Sequence, residues 1–179
     1  TLDKFPRRAL NVHNGKLPEY AGIHVHQWAI RNGEDKTTVT IHYMTEDVDL
    51  GDIVAERDVV ISDTDTGLTL YRKTQSEGLD LMLTVIELLL SGKNLISRKQ
   101  DASKRVLYSH KDSLDSKINW KMTASDVRNF IRAGSYYPLE SPTYTATLID
   151  ENYGEILLLS ASVEGLSGVP GTILNINDH

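Results

Sequence analysis

One stretch constrains this chain more than any other: the apolar run Ala9-Leu-Asn-Val-His13, which passes into the turn Gly15-Lys-Leu-Pro-Glu-Tyr-Ala-Gly22. An apolar run that ends in Asn-x-His before a Gly/Pro turn reads as a strand whose C-terminal end opens into a loop, the place where α/β proteins put their chemistry. Alternation along a strand sets Asn11 and His13 on one face, so both can address the same ligand atom. A carboxylate that could join them lies in Asp47-Val-Asp-Leu-Gly-Asp52. Asp49 is flanked there by Asp47 and Asp52, and an acidic cluster in a turn is usually simply solvated.

Composition limits the function classes. The 179 residues are 40% hydrophobic and 25% charged, enough for one sizeable core with a small appendage. Nineteen basic against 25 acidic residues leave a net charge of −6. No global field therefore draws the chain to nucleic acid or anionic lipid, and a polyanionic partner needs a local basic patch. The absence of cysteine removes disulfides, thiolate catalysis and cysteine-ligated zinc, and it fits a reducing compartment, with the cytoplasm as the default. The longest apolar run, Leu79 to Leu90, is interrupted by Asp80, Thr84 and Glu87. That is too short and polar to span a bilayer, and no charged-then-apolar leader precedes it, so no membrane partner is expected.

Along the chain, helical spacing from His24 to Asn32 places Val25, Trp28 and Ala29 on one side, with Gly33 as the stop. Lys36 to Met44 alternates, with Thr38, Thr40 and His42 on one face and Val39, Ile41 and Tyr43 on the other, and Asp52 to Ile61 is a second β-rich stretch. The capping-rich Ser62–Gly67 precedes a long helix carrying Leu68, Tyr71, Leu79, Met82, Val85, Ile86 and Leu89, which is expected to cover the sheet and stop at Gly92. Lys93 to Lys117 is polar, with basic residues Arg98, Lys99, Lys104 and Arg105, and reads as a flap or linker. Thr123 to Gly134 is a helix with a capping-box-like start. Thr143–Ile149 and Glu155–Val163 form a hairpin, and Thr172–Ile176 is a last strand. His24 and His26 at helical i, i+2 spacing point apart and suit no shared metal ion.

The run Asn11-Val-His13-x-x-x-Leu17-Pro18-x-Tyr20-x-Gly22, with Trp28-Ala-Ile-x-Asn-Gly33-Glu34, Val39-Thr-Ile-His42 and Val48-Asp49-x-Gly51-Asp52, resembles the formyltransferases that use 10-formyltetrahydrofolate. Ile118-Asn-Trp120 and Asn129-Phe-Ile-Arg-Ala133 resemble the later segment shared by the methionyl-tRNA and sugar-nucleotide members. The resemblance implies an α/β fold: the C-terminal half of a formyltransferase Rossmann-like sheet, then a small β-rich C-terminal unit. By that resemblance the N-terminal part of the sheet is expected to be missing from the given sequence, since only Thr1 to Arg8 precede the first strand. Residues 1–92 are then the catalytic core, 93–134 a connecting loop and helix, and 135–179 the small β subdomain. A sheet lacking its first strands should leave apolar surface uncovered.

By the same resemblance, Asn11, His13 and Asp49 are the catalytic trio. Leu17, Pro18, Gly51 and Asp52 line the cofactor site, and Tyr20, Trp120 and Arg132 contact substrate. No metal is implied, and a homodimer is the family expectation. Formyl transfer to an amine passes through a tetrahedral carbon with a developing oxyanion, and the amine must lose a proton. Asn11 offers an amide N–H and His13 a ring N–H or positive charge; preorganised donors of this kind are worth about 2.7–4 kcal/mol each. Asp49 can orient the imidazole and accept the proton.

The acceptor follows from charge. Residues 143–179 carry Asp150, Glu151, Glu155, Glu164 and Asp178 and no Lys or Arg, which disfavours a tRNA substrate. The phrase Leu10-Asn-Val-His-Asn-Gly-Lys-Leu-Pro-Glu-Tyr-Ala-Gly22 is most similar to the sugar N-formyltransferases acting on dTDP-linked amino sugars, so a nucleotide-linked amino sugar is the expected partner. Formyl transfer to methionyl-tRNA or another amine, or a non-catalytic folate-binding module, are the alternatives.

Overall fold

A computed structural model describes residues 9–109, 112, 115–165 and 168–171. In chain order its elements are β1 (Leu10–His13), β2 (Ala21–Gly22), α1 (Val25–Arg31), β3 (Lys36–Tyr43), β4 (Ile53–Val60), α2 (Gly67–Leu90), β5 (Leu107–Tyr108), α3 (Ala124–Gly134), β6 (Ala146–Asp150) and β7 (Gly154–Leu158). The expected last strand, Thr172–Ile176, lies outside the described residues.

The β-branched run of β3 forms the middle of a three-stranded antiparallel sheet in the order β1-β3-β4. Its register sets Asn11 opposite His42, Val12 opposite Ile41 and His13 opposite Thr40. Val12, Val39 and Ile41 face α2 and the core, whereas Asn11, His13, Thr40 and His42 share the other face. That second face is closed over as well: Thr38, Thr40 and His42 are buried, and the Thr40 hydroxyl donates to the Gly15 carbonyl at 2.8 Å.

Helix α2 covers the sheet with Leu68, Met82 and Val85 of the expected residues on the packed side, but its buried stripe runs otherwise through smaller positions. Leu70, Thr74, Gly78, Leu81 and Val85 are buried, at the i, i+4, i+8 spacing of one helix face. Leu79, Ile86 and Leu89, expected on the packed side, stand exposed. Close approach explains the choice: a Cβ on Gly78 would lie 2.8 Å from Val12 Cγ1 and 3.3 Å from Val39 Cγ1, so only the small-residue stripe lets the helix sit down on the sheet. The helix starts on a capping box in which Thr66 and Thr69 exchange side-chain-to-backbone hydrogen bonds. Helix α3 packs on α1, where Gln27 Nε2 donates to the Ala133 carbonyl at 3.0 Å and Arg31 lies over the Phe130 ring. The β6–β7 hairpin closes a second cluster around Phe130, Ile131, Tyr144 and Ala146.

His24 departs from the sequence reading. It sits outside the helix as its N-cap, in the left-handed region with φ 53, so i, i+2 helical geometry does not apply. Its ring lies 6.5 Å from that of His26. His26 is buried, hydrogen-bonded to the Tyr136 hydroxyl, and burial pushes its pKa down to about 3, with His24 adding to the drop. The folded chain thus keeps His26 neutral where the unfolded chain takes up a proton, and stability must rise with pH across that interval. We expect a loss of roughly 1.4 kcal/mol per pH unit on acidification from about pH 6 to about pH 4. His26→Gln, which keeps a polar partner for Tyr136 without titrating there, should flatten that slope in denaturant titrations. An unchanged slope would assign the acid sensitivity to carboxylates alone.

Candidate active site

The polar face of the sheet ends in a cluster drawn from four segments. β1 supplies Asn11 and His13, β3 supplies His42, the loop between β3 and β4 supplies Asp49, and the turn before α1 supplies backbone groups of Tyr20 and Gly22. Asp49 is the hub. Its Oδ2 accepts from the Gly22 amide at 2.9 Å and lies 3.5 Å from His13 Nδ1, while Oδ1 lies 3.4 Å from His42 Nε2 and 3.5 Å from Asn11 Nδ2. Asp47 and Asp52 make none of these contacts: the Asp47 carbonyl accepts from Thr45, and the Asp52 carboxylate lies 3.5 Å from the Ser97 hydroxyl.

The acceptors around the rings fix their tautomers. A carbonyl can only accept, so His13 carries hydrogen on Nε2, which donates to the Tyr20 carbonyl at 2.6 Å. His42 likewise donates from Nδ1 to the Tyr43 carbonyl at 2.9 Å, and its Nε2 lies 3.1 Å from Asn11 Nδ2 and 3.4 Å from Asp49 Oδ1. His13 therefore turns the lone pair of its neutral Nδ1 toward Asp49. With the Nε2 hydrogen committed to the Tyr20 carbonyl, a proton gained at Nδ1 is what would give His13 the ring N–H or positive charge expected of it.

The two charges are poised in opposite senses. Burial lowers the pKa of His13 below its ordinary 6.5, with His42 adding to the drop, and outweighs the opposing pull of Asp49 and the Tyr20 carbonyl. For Asp49, burial works against ionisation, but the facing His42 and His13 rings and the Gly22 amide outweigh it and hold the carboxyl below the usual aspartate range. At neutral pH the site thus holds a carboxylate beside a neutral imidazole that can take a proton on the side facing it.

The remaining sequence-selected residues divide by what they touch. Leu17 is 1% exposed and packs with Ala21 and Ile53, and Pro18 is buried, with its carbonyl accepting from Val106 at 3.2 Å. Both sit buried inside the turn. Gly51 permits a close approach, since a Cβ there would lie 1.8 Å from the Tyr43 carbonyl oxygen. Tyr20 serves the site through its carbonyl, while its hydroxyl donates to Glu34 at 2.8 Å and its ring stacks on Tyr108.

Trp120 and Arg132 are not brought to the cluster. Arg132 is buried and ties α3 to the start of α2, donating to the Ser62 and Asp65 carbonyls at 2.8 and 3.1 Å and to Asn129 at 2.9 Å. Trp120 lines a separate cavity of about 310 Å³ with Met122, Val127 and Arg128. His42, in turn, is a member of the cluster that the sequence reading left unassigned, although alternation had set it on the polar face. Among the described residues no group of three or more His, Cys, Asp or Glu side chains could hold a metal ion, and no helix is long and apolar enough to cross a membrane.

The sequence matches the family descriptions Formyl transferase over residues 1–86 and Formyl transferase, C-terminal domain, over residues 112–179. The chain belongs to the formyltransferase family. A methionyl-tRNA formyltransferase of Geobacillus sp. (strain WCH70) is 35% identical over 175 residues, which is 98% of this chain and 53% of the relative. Among solved structures, a sugar 3-N-formyltransferase crystallised with dTDP and 5-N-formyl-tetrahydrofolate aligns with TM-score 0.66 and 29% identity, over 71% of this chain and 46% of that one. An N-formyltransferase from Helicobacter canadensis, in complex with folinic acid and dTDP-3-aminofucose, aligns with TM-score 0.71 and 26% identity, over 89% of this chain and 66% of that one. The chain spans about half the length of the curated relatives it matches.

Proposed function

We propose that this chain carries the reactive centre of an enzyme that moves a formyl group from 10-formyltetrahydrofolate to the amine of a nucleotide-linked amino sugar, with dTDP as the nucleotide. The observation that carries this reading is the convergence of one carboxylate, two imidazoles and a carboxamide on the Asp49 hub. The neutral amine attacks the formyl carbon, the carbonyl electron pair moves to oxygen, and the attacking nitrogen gives up a proton. The bond from that carbon to the folate nitrogen then breaks, and the folate nitrogen takes a proton as it leaves. Asp49, held ionised, accepts the amine proton, and His13 Nδ1 can share it, forming an imidazolium that the carboxylate stabilises. Asn11 supplies an N–H to the oxyanion; its long 3.5 Å contact to Asp49 is the one most easily given up.

Two features support the sugar nucleotide over tRNA: the absence of Lys and Arg from residues 143–179, and the dTDP and dTDP-amino sugar ligands named for the two solved structures above. Three basic residues of the connection from 93 to 117 have protein partners: Arg98 pairs with Glu56, Arg105 donates to the Val48 carbonyl at 2.8 Å, and Lys104 lies 3.8 Å from Asp101. The curated relatives favour the second reading, formylation of methionyl-tRNA.

The test is an acceptor panel with the intact protein and 10-formyltetrahydrofolate, comparing dTDP-amino sugars, charged initiator tRNA and small amines. Formamido-sugar formed at least about a hundredfold faster than the other products is the expected result. Formyl-methionyl-tRNA as the main product would move the assignment to the second reading. Folate binding without turnover on any acceptor would leave a binding module.

A further inference from the structure

The loop carrying Asp49 is held by the segment read from sequence as a flap or linker. Asp49 adopts φ 52, a left-handed conformation that costs a non-glycine residue energy unless its surroundings enforce it. The enforcing contact is Gln100, whose Nε2 donates to the Asp49 carbonyl at 2.9 Å and to the Gly51 carbonyl at 2.7 Å. A carboxamide nitrogen carries two hydrogens, so one group serves both acceptors, and the flipped orientation would set an oxygen against two carbonyls. On either side of it, the backbones of Ile53 and Arg98 exchange hydrogen bonds at 2.8 and 2.9 Å, and Arg105 Nη2 donates to the Val48 carbonyl.

We propose that Gln100 is a positioning residue, whose side-chain amide clamps the Asp49–Gly51 turn in the conformation that aims the Asp49 carboxylate at His13, His42 and the Gly22 amide. Its effect on rate rests on the formyl-transfer reading; its effect on the geometry of Asp49 does not.

The test uses Gln100→Met, which keeps the volume and removes both donors, and Gln100→Glu, which keeps the shape and sets an anion against the same carbonyls. Two readouts are taken on the intact protein: formyl-transfer kinetics, and the NMR titration of His13 in the absence of substrate. Gln100→Met should lower kcat about tenfold with KM within about twofold, and Gln100→Glu should lower it further. A space-filling role predicts the reverse order, because glutamate is the closer mimic.

The His13 ring faces the Asp49 carboxylate, the Tyr20 carbonyl and the His42 ring, and only Asp49 is released by these variants. Loosening Asp49 removes a charge that favours the imidazolium, so the His13 midpoint should fall below its wild-type value in Gln100→Met. Wild-type kcat with a wild-type His13 titration in Gln100→Met would overturn the proposal. A kcat loss with an unmoved His13 midpoint would also overturn it, by placing Gln100 against substrate. So would failure of both variants to fold, which would make Gln100 a requirement of the core. An inactive wild type would sink the formyl-transfer reading alone, since the His13 titration still decides whether Gln100 holds Asp49.

Discussion

Asp49→Asn is expected to lower kcat about a thousandfold, some 4 kcal/mol of transition-state stabilisation, while leaving the fold nearly as stable as the wild type. The substitution isolates charge from shape. Asparagine is among the few residues that tolerate the left-handed backbone found at position 49, so φ 52 adds no strain that the wild type lacks. Its side-chain oxygen can still accept from the Gly22 amide. What disappears is the proposed proton acceptor and the negative charge beside His13. The wild-type carboxyl stays ionised to a pH below the usual aspartate range, so loss of rate on acidification of the wild type should follow His13 or the substrate amine rather than Asp49. In Asp49→Asn the His13 midpoint, followed by NMR, should fall, because the charge that raised it is gone while burial remains. A variant with near-wild-type kcat would remove Asp49 from the chemistry and leave only a fold resemblance.

The legible parts of the site were those governed by short-range periodicity. Two-residue alternation put Asn11 and His13 on one face of β1, and the Thr38-Thr40-His42 face of β3 was read correctly as a face. That His42 meets Asn11 depends on strand register, which joins positions 31 residues apart and leaves no local pattern. Gln100 is still less visible: a lone amide in a polar segment acquires meaning only when the chain returns to the Asp49 loop. The Tyr20 carbonyl and Gly22 amide are backbone groups, which every residue has and no sequence marks. Helix α2 was legible in its packed stripe only in part, for a different reason. Its bulky apolar residues outnumber those of the buried stripe, but contact with a sheet is limited by distance, and Gly78 with Thr74 allows the nearer approach. Arg132 was assigned to substrate from its place in the resembling segment Asn129–Ala133, and no local pattern shows the three hydrogen bonds that make its burial tolerable.

Gly22→Ala should damage stability and rate together, through one backbone group. Gly22 has φ 98, outside the range an L side chain adopts easily, and a Cβ there would lie 1.9 Å from the Tyr108 carbonyl oxygen and 2.9 Å from its carbon. Tyr108 is its parallel partner in the β2–β5 ladder, and the Ile23 amide donates to that same carbonyl at 3.0 Å, so the obstacle is backbone and cannot rotate away. Either the ladder parts or Gly22 turns, and turning pulls its N–H off Asp49 Oδ2. Alanine at a positive φ alone costs about 1 kcal/mol or more, and the contact with Tyr108 adds to that. Gly154→Ala is the matched control: φ 74 at the β6–β7 turn, with no atom within 4 Å of the added carbon, so it carries the backbone strain without the collision. Chemical denaturation should therefore rank Gly22→Ala well below Gly154→Ala, and only Gly22→Ala should lose turnover, by at least about tenfold, as the carboxylate gives up its shortest hydrogen bond. Equal stability losses in the two variants, with full activity in both, would show that the β2–β5 ladder yields freely and that the Gly22 amide is not what holds Asp49 in place.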